Sequence, residues 1–294
     1  MQAKQQQQDR EFSLSDKEFQ FLADLANRKT GIMMPEGKRD MVYSRLVRRL
    51  RALKLQSFAQ YCTLLSSDSG HDEMANLVNS ITTNLTHFFR EAHHFEHLGQ
   101  NVIKPLIQKT SLQQGGTKKL RIWSAGCSSG MEAYSIAMVA NNMIGSDIKK
   151  WNARILATDI DTNMLDRGII GEYPIDEYAN IAPKYHEFVQ KYSLPKQGEQ
   201  RHGEQMQINA ELQKLVAFKY LNLLDNFPMT GQFDAIFCRN VVIYFDKNTQ
   251  KKMFSRMSKY LSPNGFLYIG HSENISTICP EFELVGKTIY KLRR

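Results

Sequence analysis

The sequence predicts an α/β protein, a mostly parallel sheet with helices on both faces, preceded by an all-helical segment and interrupted by a small antiparallel excursion. Three observations predict this. Apolar residues recur at helical spacing through residues 15–81. From residue 120 onward β-rich runs alternate with helical runs, which is the pattern of a sheet covered on both faces. Between residues 171 and 215 that rhythm breaks, at Pro174, Pro183 and Pro195 and at the polar stretch 196–203. The length of 294 residues agrees with two compact units of about 150 residues each.

Residues 1–11 read as a disordered leader, rich in glutamine and without apolar periodicity. Ser15 and Glu18 form a capping box, and Phe19, Leu22, Ala23 and Ala26 follow on one helical face. Gly31 and Pro35 mark a turn. A second helix is expected over residues 36–53, with Val42, Leu46, Leu50 and Leu53 facing inward. Its other faces carry Lys38, Arg39, Arg45, Arg48, Arg49 and Arg51, offset only by Glu36 and Asp40. Shorter helical patterns at residues 57–65 and 72–81 complete a helical domain over 12–81.

The sheet domain spans residues 82–294. Residues 120–125 read as a buried strand, followed by a Gly/Ser turn and a helix from near Met131; residues 154–158 form the second strand, with a helix from Met164. Strands at 216–220, 233–238 and 265–269, a helix at 247–261 and a period-two run at 282–292 follow. In the insertion, about 172–215, the short alternating runs 186–192 and 205–208 flank the polar tip and read as a hairpin.

Composition narrows the class. With 42% apolar and 23% charged residues the chain is an ordinary globular protein, not a fibrous or wholly disordered one. No window reaches the ~18 uninterrupted apolar residues of a membrane span, and the first residues lack a secretory signal's apolar stretch. The expected location is the cytoplasm, without membrane insertion. Cys62, Cys127, Cys238 and Cys279 form neither a Cys-x-x-Cys pair nor a Cys/His cluster, so reduced, mostly buried thiols are expected in place of a disulfide framework or structural zinc. A net charge of +8 predicts an anionic partner, and much of it sits between Lys38 and Arg51.

Four segments could carry chemistry. The turn after the first strand, Ser124 to Gly130, lets a backbone approach a ligand and aims helix N–H groups at it. Its Gly126-x-x-x-Gly130 spacing is not the dinucleotide pattern, and it lacks the lysine of a phosphate loop. The second strand ends in Thr158-Asp159-Ile160-Asp161. Asp159 is placed to accept hydrogen bonds from the ribose hydroxyls of an adenosine moiety and Asp161 to cap the next helix; the alternative is that both only cap. Arg239, Asn240 and Tyr244 stand where such sheets place substrate-handling groups. Upstream, Asn84, Thr86 and Arg90 form a polar cluster in which Arg90 can grip a carboxylate, unless Thr86 caps a helix start. His93, His94 and His97 suggest a metal, but with no acid at ligand spacing a solvated histidine face is expected instead, and no metal.

At these residues the chain resembles the chemotaxis-receptor glutamate O-methyltransferase family, over nearly all of its length after residue 12. The segments are KRDMVYSRLVRRLRAL (38–53), TTNLTHFFREAHHF (82–95), WSAGCSSGMEAYSIAM (123–138), ATDID (157–161), FDAIFCRNVVIYFDK (233–247) and GHSEN (270–274). The resemblance implies a class I S-adenosylmethionine-dependent methyltransferase domain, a Rossmann-like and mostly parallel sheet, behind a small helical domain. It implies S-adenosyl-L-methionine as cofactor and S-adenosyl-L-homocysteine as product. By matching position, Asn84, Thr86, Arg90, Gly126, Glu132, Asp159, Asn222, Leu223, Arg239 and Asn240 bind cofactor, Glu132 through the methionine amino group and Asp159 through the ribose. From the chemistry of a glutamate substrate, Arg90 is expected to grip the carboxylate and Tyr244 to position it by a hydrogen bond, as the catalytic residues. The family's Gly-Glu-Glu-Pro-Tyr-Ser reads Gly130-Met-Glu-Ala-Tyr-Ser135 here: Met131 replaces the first acid and Glu132 keeps the second.

The implied partners are the acidic cytoplasmic helices of chemotaxis receptors, met by Lys38, Arg39, Arg45, Arg48, Arg49 and Arg51, and a receptor tail peptide added to the inserted β subdomain. Two other readings share the fold. A nucleic-acid methyltransferase would need a base-flipping pocket, for which no motif stands out, so no nucleic acid is expected. A cofactor-binding sensory or scaffold protein would not need Arg90 and Tyr244.

Overall fold

The computed structural model describes residues 10–111, 118–181, 183–197 and 204–293. Residues 1–9 of the leader expected over 1–11, and 198–203 of the polar tip expected over 196–203, lie outside them; Arg10 and Glu11, expected as the end of the leader, are described and pair with Asp40 and Arg51. The chain divides into a helical unit, residues 10–83 together with Tyr244–Asp246, and a sheet unit holding the rest.

In the helical unit, α1 (Asp16–Thr30), α2 (Arg39–Ala52), α3 (Phe58–Ser66) and α4 (His71–Ile81) surround one apolar core. The Ser15/Glu18 capping box forms, and Gly31 ends α1 in the left-handed conformation. Phe19, Leu22, Val42, Leu46, Leu50, Phe58, Tyr61 and Leu77 pack inside. Leu53 is only partly buried. The second helix begins at Arg39, after a 3-10 turn at Glu36–Lys38.

The expected uniform cationic face of α2 is not what forms. Arg39 reaches Asp16 at 2.6 Å and Glu36 at 2.5 Å. Arg49 forks onto Glu73 at 3.0 and 2.6 Å, Arg51 pairs with Glu11, and Arg45 donates to the carbonyls of Ile81 and Thr82 at the end of α4. Of the six cations only Arg48 is exposed without an ion pair or hydrogen bond among the described residues. The sequence count missed these partners because Glu11, Asp16 and Glu73 come from other segments.

The sheet unit opens with α5 (His93–His97), continued by a π-helical turn at Leu98–Ile103 into α6 (Lys104–Ser111). Then come β1 (Lys118–Ala125), α7 (Met131–Ile144), β2 (Trp151–Asp159) and α8 (Thr162–Ile170). The insertion holds β3 (Glu172–Pro174), α9 (His186–Tyr192), β4 (Ser193–Gln197), β5 (Glu204–Ile208) and α10 (Ala210–Gln213). The chain closes with β6 (Val216–Tyr220), β7 (Phe233–Cys238), α11 (Lys247–Met257), β8 (Leu261–Ile269), β9 (Phe282–Gly286) and β10 (Ile289–Leu292).

Seven strands form one sheet in the order β6-β2-β1-β7-β8-β10-β9. All neighbours run parallel except β10, which is antiparallel to β8 and β9. Strands after β1 are laid down first on its β2 side and then, from β7, on its other side. That reversal leaves a crevice beyond the carboxyl ends of β1 and β7, the place where such sheets bind ligands.

The insertion forms a separate three-stranded antiparallel sheet, β3-β5-β4. Residues 186–192, expected as an extended arm, are the helix α9. Val189 and Tyr192 are buried there, three residues apart, which puts them on one face of a helix but would put them on opposite faces of a strand. The buried Tyr173 of β3 donates from its hydroxyl to Ser129 O at 2.7 Å, tying the insertion to the glycine turn.

Candidate active site

The glycine turn, residues 126–130, is folded back on β2. The N–H groups of Gly126 and Cys127 donate to Thr158 O at 2.8 and 2.9 Å, and Ser128 N donates to Asp159 Oδ2 at 2.7 Å. These three amides are spent on β2, and the helix N–H groups that the sequence reading aims at a ligand belong to the first turn of α7, from Met131 onward. Glycine is required at its two ends: Gly126 has φ +78°, with a Cβ falling 2.3 Å from Val241 Cγ2, and at Gly130, φ +87°, a Cβ would fall 2.8 Å from Phe218 Cζ.

Asp159 ends β2 with its carboxylate buried against that loop. Besides Ser128 N it accepts from Asp161 N at 2.9 Å through Oδ1. The N–H of Ile160 also bonds this carboxylate, and of its roughly four lone-pair sites at least one stays open to a ligand hydroxyl. Burial raises its pKa above the ordinary value, against the pull of the backbone N–H groups. Asp161 caps α8, accepting from Met164 N at 3.2 Å, and also accepts from Asn84 Nδ2 at 2.8 Å. Two positions read separately from the sequence thus meet through side chains.

At the carboxyl end of β7 stands Arg239, whose side chain is 2% exposed. Its Nη1 donates to Glu132 Oε2 at 3.0 Å, its Nη2 donates to the carbonyl of Arg90 and lies 3.5 Å from Glu91 Oε2. Glu132, in the first turn of α7, also accepts from Ser124 Oγ at 2.7 Å. Burial raises the Glu132 pKa and Arg239 opposes the rise. Burial would raise Glu91 too, but Arg239 and a bond from His271 outweigh it and hold that carboxyl below the ordinary range. Glu91 Oε1 accepts from His271 N at 3.3 Å and lies 3.2 Å from His271 Nδ1.

Arg90 lies between two strained neighbours, Phe89 at φ +55° and Glu91 at φ +57°. Non-glycine residues in this region cost about 1–3 kcal/mol each unless their surroundings hold them. Here the Phe89 ring stacks on Tyr185 at 4.1 Å and its N–H donates to Ser135 Oγ at 2.9 Å, while Arg239 and His271 hold Glu91. The Arg90 guanidinium, tethered by Nη1 to Leu85 O at 2.7 Å, stays near the surface. No helix starts at Thr86; the first one begins at His93.

The histidines do not form a solvated face. His94 is fully buried, with Nε2 at 3.0 Å from Thr288 Oγ1, and His97 Nδ1 lies 3.0 Å from Tyr268 OH. Burial, Arg239 and His93 push the His94 pKa down to about 3, so it is neutral. An acidic neighbour does exist, since Glu91, His93 and His94 each bring one ligand atom within 4.8 Å of the others. The adjacent guanidinium of Arg239 works against a metal cation at that point.

Glu273, within the GHSEN run, has a role that no local sequence pattern signals. Its buried carboxylate accepts from the N–H groups of Asn240 at 3.0 Å, Val242 at 3.0 Å and Gly270 at 2.5 Å, fixing the segment after β7. Burial nonetheless raises its pKa. Asn222 and Leu223 lie buried beyond β6, with Asn222 Oδ1 accepting from Leu224 N at 3.0 Å. Tyr244 falls within the helical unit, its carbonyl accepting from Met33 N at 2.9 Å and its ring lying under Lys38 Nζ at 4.9 Å.

The donor set fits an adenosyl sulfonium amino acid. Two carboxylates of low exposure, Glu132 at the start of α7 and Asp159 at the end of β2, stand around the glycine turn. Three of the four buried side-chain polar atoms without a hydrogen-bond partner among the described residues, Glu91 Oε2, His94 Nδ1 and Arg239 Nε, belong to the group in which Glu91 meets His94 and Arg239, and Arg239 reaches on to Glu132. A seven-stranded sheet with its switch point at β1/β7, an acid ending β2 and a glycine turn with spent amides define the S-adenosylmethionine-dependent methyltransferase class.

The comparisons with known proteins narrow that class. The all-alpha domain of CheR methyltransferases matches residues 17–82, and their SAM-binding domain matches residues 84–291. The chain is 40% identical over 283 residues to the chemotaxis protein methyltransferase of Salmonella typhimurium, covering 96% of this chain and 92% of that one. Identity to the Escherichia coli protein is 41% over 283 residues, covering 96% and 93%. With chemotaxis protein methyltransferase 2 of Pseudomonas aeruginosa it is 41% over 282 residues, covering 95% and 94%. The chain belongs to the CheR methyltransferase family, and it is an S-adenosylmethionine-dependent chemotaxis methyltransferase. Among the described residues no helix is long and apolar enough to cross a membrane.

Proposed function

We propose that the chain O-methylates glutamate side chains on chemotaxis receptors, with Arg90 and Tyr244 acting on the substrate carboxylate. The observation that carries this is the placement of Arg90: a guanidinium near the surface, on a backbone bracketed by two positive-φ residues and anchored to the cluster that holds Glu132. Bound S-adenosylmethionine supplies an electrophilic methyl group on a sulfonium centre. A glutamate with an ordinary pKa of about 4.3 is already ionised at neutral pH, so the chain need not provide a general base. Its residues must instead align a carboxylate oxygen about 3–3.5 Å from the methyl.

Arg90 orients the carboxylate through one edge of its fork, the Nη1 edge being tethered to Leu85 O. Tyr244 positions the carboxylate through its hydroxyl. The grip must stay moderate, because the carboxylate loses charge as the ester forms and tight ground-state pairing would raise the barrier. Glu132 accepts the cofactor's amine, Asp159 its ribose hydroxyls, and Asn84, Thr86, Gly126, Asn222, Leu223, Arg239 and Asn240 line the remainder.

Receptor helices of acidic character would be met by Lys38 of the 3-10 turn and by Arg45 and Arg48 of α2, the cations there without a carboxylate partner among the described residues. The inserted sheet leaves β4 as an edge strand, with Leu194 61% exposed, suited to adding a receptor tail as a further strand.

Radiolabelled methyl transfer to receptor-bearing membranes tests the reading. Arg90→Ala and Tyr244→Phe should each lower turnover by about 10²-fold or more while S-adenosylhomocysteine affinity changes by no more than about threefold. Equal losses in turnover and in calorimetric affinity would overturn the role assignments, and transfer to DNA or RNA would overturn the substrate class.

A further inference from the structure

The buried cluster at the end of β7 is unbalanced in charge. Its members are Arg239, Glu132 and Glu91, with side-chain exposures of 2%, 12% and 11%. Around it the neutral His94, the hydroxyl of Ser124 and the carbonyl of Arg90 add no formal charge. His271 approaches from the solvent side and touches only Glu91 Oε1. One guanidinium therefore serves two carboxylates, and a single monovalent cation would complete the set.

The sharing is unequal. Arg239 makes a hydrogen bond of 3.0 Å to Glu132 and only an ion contact of 3.5 Å to Glu91, so Glu91 draws on Arg239 by charge more than by a directed bond. Glu91 keeps a left-handed backbone, φ +57°, to stay there. Were the carboxylate only a loop anchor, the partner it already has in His271 would serve; placing it against a buried arginine that Glu132 also uses needs another reason.

We propose that Glu91 is a positioning residue for the cofactor amine: by claiming part of Arg239 it leaves Glu132 with uncompensated charge, so that Glu132 prefers a ligand carrying an ammonium group. Glu91 is not among the residues placed on the cofactor and acts through Arg239. The inference rests on the reading of Glu132 as the amine acceptor.

Calorimetry with two probes tests it without any turnover: S-adenosylhomocysteine, and its desamino analogue, which keeps the carboxylate and lacks only the amine. Glu91→Gln should weaken S-adenosylhomocysteine about tenfold and leave the desamino analogue within about twofold, and Glu91→Asp should restore most of the difference. An equal weakening of both probes, or none, overturns the proposal. Glu132→Gln separates the two readings: if it too removes the amine preference, Glu132 is the acceptor, and if it weakens both probes alike, that assignment fails. His271→Ala, at an exposed residue, supplies an independent arm of opposite sign. It frees Glu91 to draw harder on Arg239 and should raise the amine preference about twofold, whereas a fall or no change counts against the mechanism.

Discussion

Arg39 and Arg239 have the same stoichiometry and opposite consequences. Each guanidinium faces two carboxylates, Asp16 and Glu36 for Arg39, Glu132 and Glu91 for Arg239. Asp16 and Glu36 are 95% and 70% exposed, so water absorbs the second negative charge and the pair is a surface brace. Glu132 and Glu91 are nearly buried, so the second charge stays within the protein and remains available to a ligand. Burial of the acids together with their excess over the cation separates the functional cluster from a structural ion pair.

The largest expected effect follows from removing the two arginines. Arg239→Met strands two carboxylates at low exposure and should destabilise the chain by about 3–5 kcal/mol, as loss of one partner from a buried pair does. Arg39→Met should cost no more than about 1 kcal/mol, since its acids return to water. Denaturant unfolding measures both. Comparable losses at the two positions would mean that exposure of the acids does not govern the difference.

A buried pair in the helical unit sharpens the contrast. Glu73 accepts from Arg49 at 3.0 and 2.6 Å, from Tyr61 OH at 2.9 Å and from Asn76 at 3.0 Å, which satisfies it locally. Glu73→Gln should lower stability by about 2–3 kcal/mol, while S-adenosylhomocysteine affinity at a temperature well below the transition stays unchanged. A change in that affinity would show that a satisfied pair also reaches the cofactor site.

The same difference should be visible as pH dependence. Burial raises the pKa of Glu132, so its carboxylate takes up a proton at a higher pH than an exposed glutamate, whose value is about 4.3. An ammonium needs the ionised form. S-adenosylhomocysteine affinity should therefore be full above the raised pKa and fall as pH drops through it, by up to about tenfold per pH unit. The desamino analogue should not follow this limb. Glu91, held below the ordinary range, ionises earlier and contributes no step in that window. A limb at or below the exposed-glutamate value would place the amine on another group.

Much of this was legible in the sequence, and what was missed shares a cause. Strands β6 and β7 fall at the expected residues because each is a short β-rich run bounded by turns. Asp161 was read correctly as a helix cap, a property set within three residues. The histidines were misjudged as solvated because what buries them, Thr288 and Tyr268, lies more than 170 residues away along the chain. Glu273 and the partners of Arg49 and Arg51 escaped for the same reason. Residues 186–192 misled differently, since seven residues are too few to tell a period of two from one of 3.6.

The smallest expected effects lie on α2 and concern a partner. Arg51 is 61% exposed and pairs with Glu11, itself 46% exposed, so both ends of that pair are already paid for by water. Arg51→Gln should leave the thermal midpoint and the methylation rate unchanged within error. Arg48 is exposed without an ion pair among the described residues, so its field extends outward instead of into a neighbour. If acidic receptor helices approach α2, Arg48→Gln should lower the methylation rate about twofold at low salt, and the loss should vanish near 0.5 M salt, where the Debye length is only a few ångströms. Rate measurements on receptor membranes across ionic strength decide it. Equal behaviour of the Arg48 and Arg51 variants would mean that receptors are steered by another surface.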